Sequence, residues 1–272
     1  MIDIGLDGKV AIVTGANHGI GAATARSLSE QGVRVFVTYL RIESQAGNEV
    51  PGAAYRENRA RSPDKLVDEI RRNGGDIEAW EADLSDAEVI PELFDRAEAA
   101  LGPVDILIHN AAAWAADTFA PVAEDGFGRP LRPVTAASHD LHFAVNSRAT
   151  ALLIAEYSRR YVSRGANWGR IVGITTGGSR GFPEEVSYGA SKNALESYTM
   201  AAAMELGKFR VTANVVCPPA TDTGWIPDQA RSSWDDAGPL RRIAQPEHVA
   251  GAIVLLVSEQ AGSITGNKIL VW

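Results

Sequence analysis

Cysteine is almost absent from this 272-residue chain, where Cys217 stands alone. A single thiol cannot close an internal disulfide, so a disulfide scaffold is excluded and a reducing cytoplasm is the expected compartment. Nothing around Cys217 supports a nucleophile, and an inert small hydrophobe is the expected role. Basic residues are also short: 26 Lys and Arg against 34 Asp and Glu, a formal net charge of −8. That balance argues against nucleic acid or an anionic membrane as the main partner. No apolar run approaches the length that spans a bilayer, and the first residues lack the basic and apolar regions of a secretory signal. Repeats and low-complexity tracts are missing as well. What remains is ordinary globular material, 45% hydrophobic and 22% charged. At this length it can bury one large core, and a single domain over 1–272 is expected.

Apolar and amphipathic segments alternate along the chain. Short β-like runs are expected at 9–13, 33–39, 77–81, 105–109, 170–174, 211–216 and 269–271. Helical patterns lie between them at 19–31, 64–73, 86–101, 135–163, 187–206 and 246–257. Three stretches read as long loops: 41–63 and 114–133, rich in Gly, Pro and charge, and 224–239. Strands alternating with helices imply parallel pairing through right-handed crossovers. The expected fold is α/β, a doubly wound, mostly parallel seven-stranded sheet with helices on both faces and ligands at the carboxyl ends of its strands.

The first strand runs into Thr14-Gly15-Ala16-Asn17-His18-Gly19-Ile20-Gly21. Glycines at a strand-to-helix turn let a pyrophosphate approach the unpaired N–H groups and positive dipole of the helix start. The G-x-x-x-G-x-G spacing differs by one residue from the common dinucleotide fingerprint. Taken alone it also fits a tight turn that needs glycine for packing only. Far downstream, Tyr188 and Lys192 stand four apart, on one face of a helix. Such a pair arises often by chance; together with the glycine turn it points to a redox enzyme.

NAD-specific sites place an acid at the end of the second strand, for the ribose 2′-hydroxyl. Here that end reads Thr38-Tyr39-Leu40-Arg41, with no carboxylate. Arg41 and Thr38 are candidates for a 2′-phosphate, with His18 in reach, so NADP(H) is expected over NAD(H); an ordinary solvated Arg41 is the alternative.

These residues, with Asp83-Leu84, Asn110-Ala111-Ala112, Asn146, Pro218 and Thr223, make the whole chain resemble the short-chain dehydrogenase/reductase family. The resemblance implies a Rossmann-like fold and a cofactor site of Gly15, Asn17, His18, Gly19, Ile20, Gly21, Tyr39 and Arg41. It adds Asp83 and Leu84 on the adenine side, Asn110 with Ala111 and Ala112 beneath the cofactor, and Pro218, Thr221 and Thr223 at the nicotinamide. It implies that Tyr188 is the general acid/base, that Lys192 binds the ribose and lowers the phenol pKa, and that Asn146 anchors a water. The family's strand-end serine is replaced: aligning the strand selects Thr176, counting back from Tyr188 also allows Thr175, and Ser179 is a weaker candidate. His109 and Ala112 depart from the usual Asn-Asn-Ala-Gly, and Pro219 from Pro-Gly.

Trp114, Trp225 and Trp234 could line an apolar pocket or serve packing. His139 and His142 fit a helix start better than a metal site. Arg159, Arg160 and Arg164 suit a helix end, or docking of an acidic acyl carrier protein. The expected activity is hydride transfer between NADP(H) and a small carbonyl or secondary alcohol, with a 3-oxoacyl reductase-like enzyme among the options. The alternatives are an NAD(H)-dependent alcohol dehydrogenase and a non-catalytic dinucleotide-binding regulator. A homo-oligomer, tetramer or dimer, follows from the family resemblance.

Overall fold

The computed structural model describes residues 4–42, 53–126, 128–177, 181–226, 231 and 239–272. Seven parallel strands form one sheet: β1 (Val10–Thr14), β2 (Arg34–Tyr39), β3 (Ile77–Glu81), β4 (Ile106–His109), β7 (Gly169–Ile174), β8 (Val211–Cys217) and β9 (Lys268–Leu270). Two further two-residue strands, β5 (Asp117–Thr118) and β6 (Arg132–Pro133), pair with each other inside the stretch read as a loop. The order is β3-β2-β1-β4-β7-β8-β9. Connections therefore run outward in opposite directions from β1 and β4. They leave a crevice at the carboxyl ends of those two strands.

Strand alternation divides the core between the two faces. Ala11 and Val13 of β1 pack with Leu28 of α1 (Gly19–Ser29), Ile70 of α3 (Asp64–Arg72) and Ile253 of α8 (Pro246–Val257). Val10 and Ile12 face the other way. They meet Phe94 of α4 (Val89–Leu101), Leu153 of α6 (Ala149–Ser163) and Ala202 of α7 (Val186–Leu206). All five residues of β1 are buried, as a strand covered by helices on both sides must be.

Two differences from the sequence reading matter for the site. The 41–63 stretch contains a helix, α2 (Ala53–Ala60), with no buried residue of its own. It escapes a periodicity reading because it has no apolar stripe to detect. The helix expected over 135–163 is a continuous run with a wide turn inside: α5 (Ala136–His142), a π-helical segment (Phe143–Arg148), then α6. Such segments mark places where a helix is bent to a purpose, and this one carries Asn146. Among the described residues no helix is long and apolar enough to cross a membrane.

Candidate active site

The glycine turn after β1 is a close-packed cradle. Gly15 and Gly19 have φ of +67° and +57°, which side-chain-bearing residues rarely adopt. A Cβ on Gly21 would stand 2.3 Å from the Gly15 carbonyl oxygen and 2.6 Å from Asn110 Nδ2. Asn110 ties the cradle down, donating to the carbonyls of Thr14 (3.0 Å) and Gly15 (2.9 Å). Thr14 Oγ1 accepts the backbone N–H of Asn110 (3.0 Å) and Ala111 (2.9 Å). Both lone pairs are then used, so its proton goes to His109 Nδ1, 3.1 Å away. That fixes His109 as the tautomer protonated on Nε2. Burial, with the charge of Lys192 adding to it, pushes the His109 pKa down to about 3. The histidine that departs from the family pattern thus works as a neutral latch under the cradle.

The start of α1 has neither a side-chain cap nor an acid in its first turn. His18 Nδ1 is buried without a hydrogen-bond partner among the described residues. Open amides over a cradle that tolerates no Cβ, and a buried orphan nitrogen beside it, fit the phosphates of a dinucleotide. Ile20 lies in the first turn of α1, packed against the core, and Ala112 follows Ala111 past the end of β4. Asp83, exposed just past β3, accepts the Ser85 N–H at 2.8 Å, while Leu84 is buried in the core.

Tyr39 ends β2 opposite Glu81, and the register of β2 on β3 gives Glu81 to Arg41. Arg41 Nη2 lies 2.6 Å from Glu81 Oε2, and its Nε and backbone N–H also reach that carboxylate. The guanidinium expected to meet a 2′-phosphate is therefore already paired.

Helix α2 lies across the crevice. Asn17 Nδ2 donates to the carbonyls of Arg59 (3.4 Å) and Arg61 (3.1 Å). The rings of His18 and Tyr55 meet edge-on at 5.3 Å. On the other side Asn58 Nδ2 donates to the Thr223 carbonyl at 3.3 Å, and Gly224 packs on the Tyr55 backbone. Thr223 itself reaches the cradle, since a Cβ on Gly19 would be 2.9 Å from its methyl. Thr221 donates to the Pro219 carbonyl at 2.9 Å, which shapes the turn that follows Pro218.

Tyr188 and Lys192 lie in the first turns of α7. Lys192 is 2% exposed, donates to the Ile174 carbonyl at the end of β7 at 2.8 Å, and lies 5.8 Å from the Tyr188 ring centroid. Burial pulls the Lys192 pKa down to about 7. The expected lowering of the phenol is not found: burial pushes the Tyr188 pKa up, and Glu185, Tyr55 and Cys217 add to it. The reason is that desolvation disfavours both charged forms, and a half-neutralised ammonium cannot outweigh it. Cys217 is buried and its own pKa is raised, mainly by that burial, as for an inert thiol.

Asn146 is fully buried, and its amide is committed: Oδ1 accepts Ala113 N–H (2.8 Å), while Nδ2 donates to Ala113 O and Ser191 Oγ (both 2.9 Å). Ser191 in turn donates to the Tyr188 carbonyl at 2.7 Å. The Asn146 side chain thus joins the segment after β4 to the helix of Tyr188. The two threonines separate cleanly. Thr175 is buried and donates to Glu196 Oε1 at 2.6 Å, whereas Thr176 is half-buried and keeps its hydroxyl unengaged among the described residues. Ser179 and Trp234 lie outside the described residues.

Aromatic groups surround the phenol. Phe182 and His142 meet the Tyr188 ring edge-on at 5.9 and 6.2 Å. His142 is no metal ligand here: Nδ1 donates to the Ser138 carbonyl (2.6 Å) and Nε2 accepts the Ala115 N–H (2.9 Å). Trp114 and Trp225 meet edge-on at 5.6 Å, with the Arg129 guanidinium over both. Arg129 also pairs with the buried carboxylates of Asp125 and Glu185. Arg129, Glu185, Phe182 and Tyr55 escape the sequence reading because no motif marks them; only proximity to Tyr188 does. The arginines near the end of α6 are engaged locally: Arg159 and Arg160 with Glu156, Arg160 also with Asp95 and Glu98, and Arg164 with Asp105.

A parallel sheet with a glycine cradle and a Tyr–Lys helix at one crevice defines a nicotinamide-dinucleotide oxidoreductase that acts on CH–OH or C=O groups. The chain belongs to the short-chain dehydrogenase/reductase family. A family model described as enoyl-(acyl carrier protein) reductase matches residues 15–271. The chain is 33% identical over 264 residues to the uncharacterized oxidoreductase YjdA of Bacillus subtilis, covering 96% of this chain and 94% of that one. It is 31% identical over 284 residues to a protein of Zymoseptoria tritici named as a probable tetrahydroxynaphthalene reductase, covering 97% and 93%. A dehydrogenase/reductase from Sinorhizobium meliloti superposes with a TM-score of 0.80 at 32% identity, covering 99% and 95%. The angucycline C-6 ketoreductase LanV, solved with bound NADP, superposes with a TM-score of 0.78 at 28% identity, covering 97% and 94%.

Proposed function

We propose that this chain is an NADP(H)-dependent ketone reductase whose substrate is a flat, largely apolar ring ketone, with Tyr188 as proton donor. The carrying observation is the protonation state that burial favours: Tyr188 is held as a neutral phenol beside a buried Lys192. A phenol that keeps its proton at neutral pH is set to give it, as the reductive direction requires. Bound reduced nicotinamide would supply the hydride. The Thr176 hydroxyl donates to the substrate carbonyl oxygen and favours charge developing there. Tyr188 delivers its proton to that oxygen, and the Lys192 ammonium stabilises the phenolate left behind. Asn146 holds α7 against the end of β4, which keeps the phenol in place. A non-catalytic regulator would need none of these groups together.

The aromatic surroundings of Tyr188 support a ring ketone over a linear 3-oxoacyl thioester, because flat rings gain from edge-on and stacked contacts. The engaged arginines of α6 also leave no free cationic patch there for an acidic carrier protein. NADP(H) is favoured by the absence of an acid at the end of β2 and by the NADP in LanV. Tyr198 and Met204, exposed on α7, support burial of this helix against a second copy. Tyr188→Phe tests the mechanism: the fold should persist while turnover of a panel of ring ketones with NADPH falls by roughly 10²–10⁴. Near-normal turnover in that variant would refute the assignment.

A further inference from the structure

Helix α2 brings an arginine to the glycine turn. Arg59 follows Tyr55 by four residues and so shares the helix face that Tyr55 lays on His18. Its backbone carbonyl is fixed from two sides, by Asn17 Nδ2 of the glycine turn and by the Ile42 N–H (3.1 Å), just past the end of β2. Arg59 thereby has its backbone held beside the end of β2, the strand end at which this fold places its ribose acceptor. Its guanidinium is half-buried and meets no carboxylate among the described residues. The neighbouring arginines differ: Arg41 is paired with Glu81, and Arg61 with Glu57. Beside Arg59, His18 Nδ1 is buried and has no partner among the described residues. Burial first, and Arg59 second, press the His18 pKa down to about 4. Two groups that carry or accept positive charge thus converge with no anion between them among the described residues. Such an arrangement is costly by itself and becomes favourable when an anion enters.

We propose that Arg59 and His18, not Arg41, form the receptor for the 2′-phosphate on the adenosine ribose of NADP(H). This rests on the dinucleotide reading above. The pyrophosphate has its own place at the open amides of α1, whereas Arg59 is tied back to the end of β2. A dianionic phosphate there would give Arg59 a bidentate partner and His18 an acceptor. It would also anchor α2 over the crevice, so the same contact that selects the cofactor closes the site.

Fluorescence titration of NADPH and NADH into the purified full chain tests this without turnover. Arg59→Gln should weaken NADPH roughly ten- to a hundredfold, the worth of a charge-assisted pair, with NADH affinity essentially unchanged. Arg41→Gln combined with Glu81→Gln, which removes the pair without leaving a free carboxylate at the strand ends, should leave both affinities as in wild type. The His18 ring should raise its pKa, followed by its proton resonances, when NADPH binds but not when NADH binds. Unchanged NADPH affinity in Arg59→Gln overturns the proposal. Equal losses for both cofactors overturn it too, since the cation would then serve the shared pyrophosphate. Retained NADH binding reports that the variant is folded. Should Arg59→Gln not fold, Arg59→Lys carries the test, with a smaller loss confined to NADPH expected and an equal loss for both refuting it. A wild type that binds neither cofactor would sink the dinucleotide reading itself, a different outcome from these.

Discussion

Lowering the pH from 7 to 5 should destabilise this protein through two histidines that the fold keeps neutral. His109 is enclosed under the glycine cradle, with Nδ1 accepting the Thr14 hydroxyl, and its folded pKa is about 3. His18 is less enclosed, with a folded pKa of about 4. Both lie below the roughly 6.5 of an unfolded histidine, so the unfolded chain binds the protons better. Their contribution to stability is complete above about pH 6.5 and is lost as pH falls toward 4 and 3. At pH 5 each histidine costs about 2 kcal/mol, together about 4 kcal/mol of the 5–15 typical of a domain. Glu185 works the other way, since burial raises its pKa and protonation then favours the fold at low pH. Glu156, with a pKa of about 2, does not titrate in this window, whereas Lys192, pulled down to about 7, takes up its proton there and adds to the loss. The absolute slope therefore mixes signs, and the difference between wild type and His109→Asn isolates one latch. Urea unfolding followed by circular dichroism at pH 7, 6 and 5 is the assay. The variant should lose about 2 kcal/mol less than wild type between pH 7 and 5. Parallel losses in the two proteins would refute the claim that His109 is held neutral.

The strand-end hydroxyls and the carboxylate beside the phenol give two more tests. Thr175→Val removes a hydrogen bond to Glu196, which keeps Lys268, so about 0.5–1.5 kcal/mol of stability should go with turnover little changed. Thr176→Val should instead lower turnover while Thr176→Ser keeps most of it; a larger kinetic loss from Thr175→Val would move the polarising role to Thr175. Glu185→Gln removes a negative charge that helps hold the Tyr188 pKa up, so the alkaline rise in phenolate absorbance that is lost in Tyr188→Phe should begin at lower pH than in wild type. A rise that stays in place would mean that burial alone sets the phenol.

What the sequence made legible is the part of this molecule built by periodicity and by glycine. The seven parallel strands follow from alternating β-branched and amphipathic runs, and β9 differs from its expected bounds by one residue at each end. The cradle was readable because only glycine fits Gly21, where a Cβ would be 2.3 Å from a carbonyl oxygen. Helix α2 was not readable, because it buries no residue and is held by Asn17 and Asn58 through bonds to backbone carbonyls. Side-chain-to-backbone bonds of this kind leave no periodic trace in composition. The Arg41–Glu81 pair is invisible for another reason: it exists only once β2 and β3 are in register, with Tyr39 opposite Glu81. An arginine at a strand end reads as an anion receptor until the neighbouring strand supplies its carboxylate. The same logic governs Tyr188, whose four-residue spacing to Lys192 suggests a lowered pKa while depth of burial raises it. Spacing along one helix identifies which groups can meet, but the sign of their electrostatic effect is decided by how much water the whole fold excludes around them.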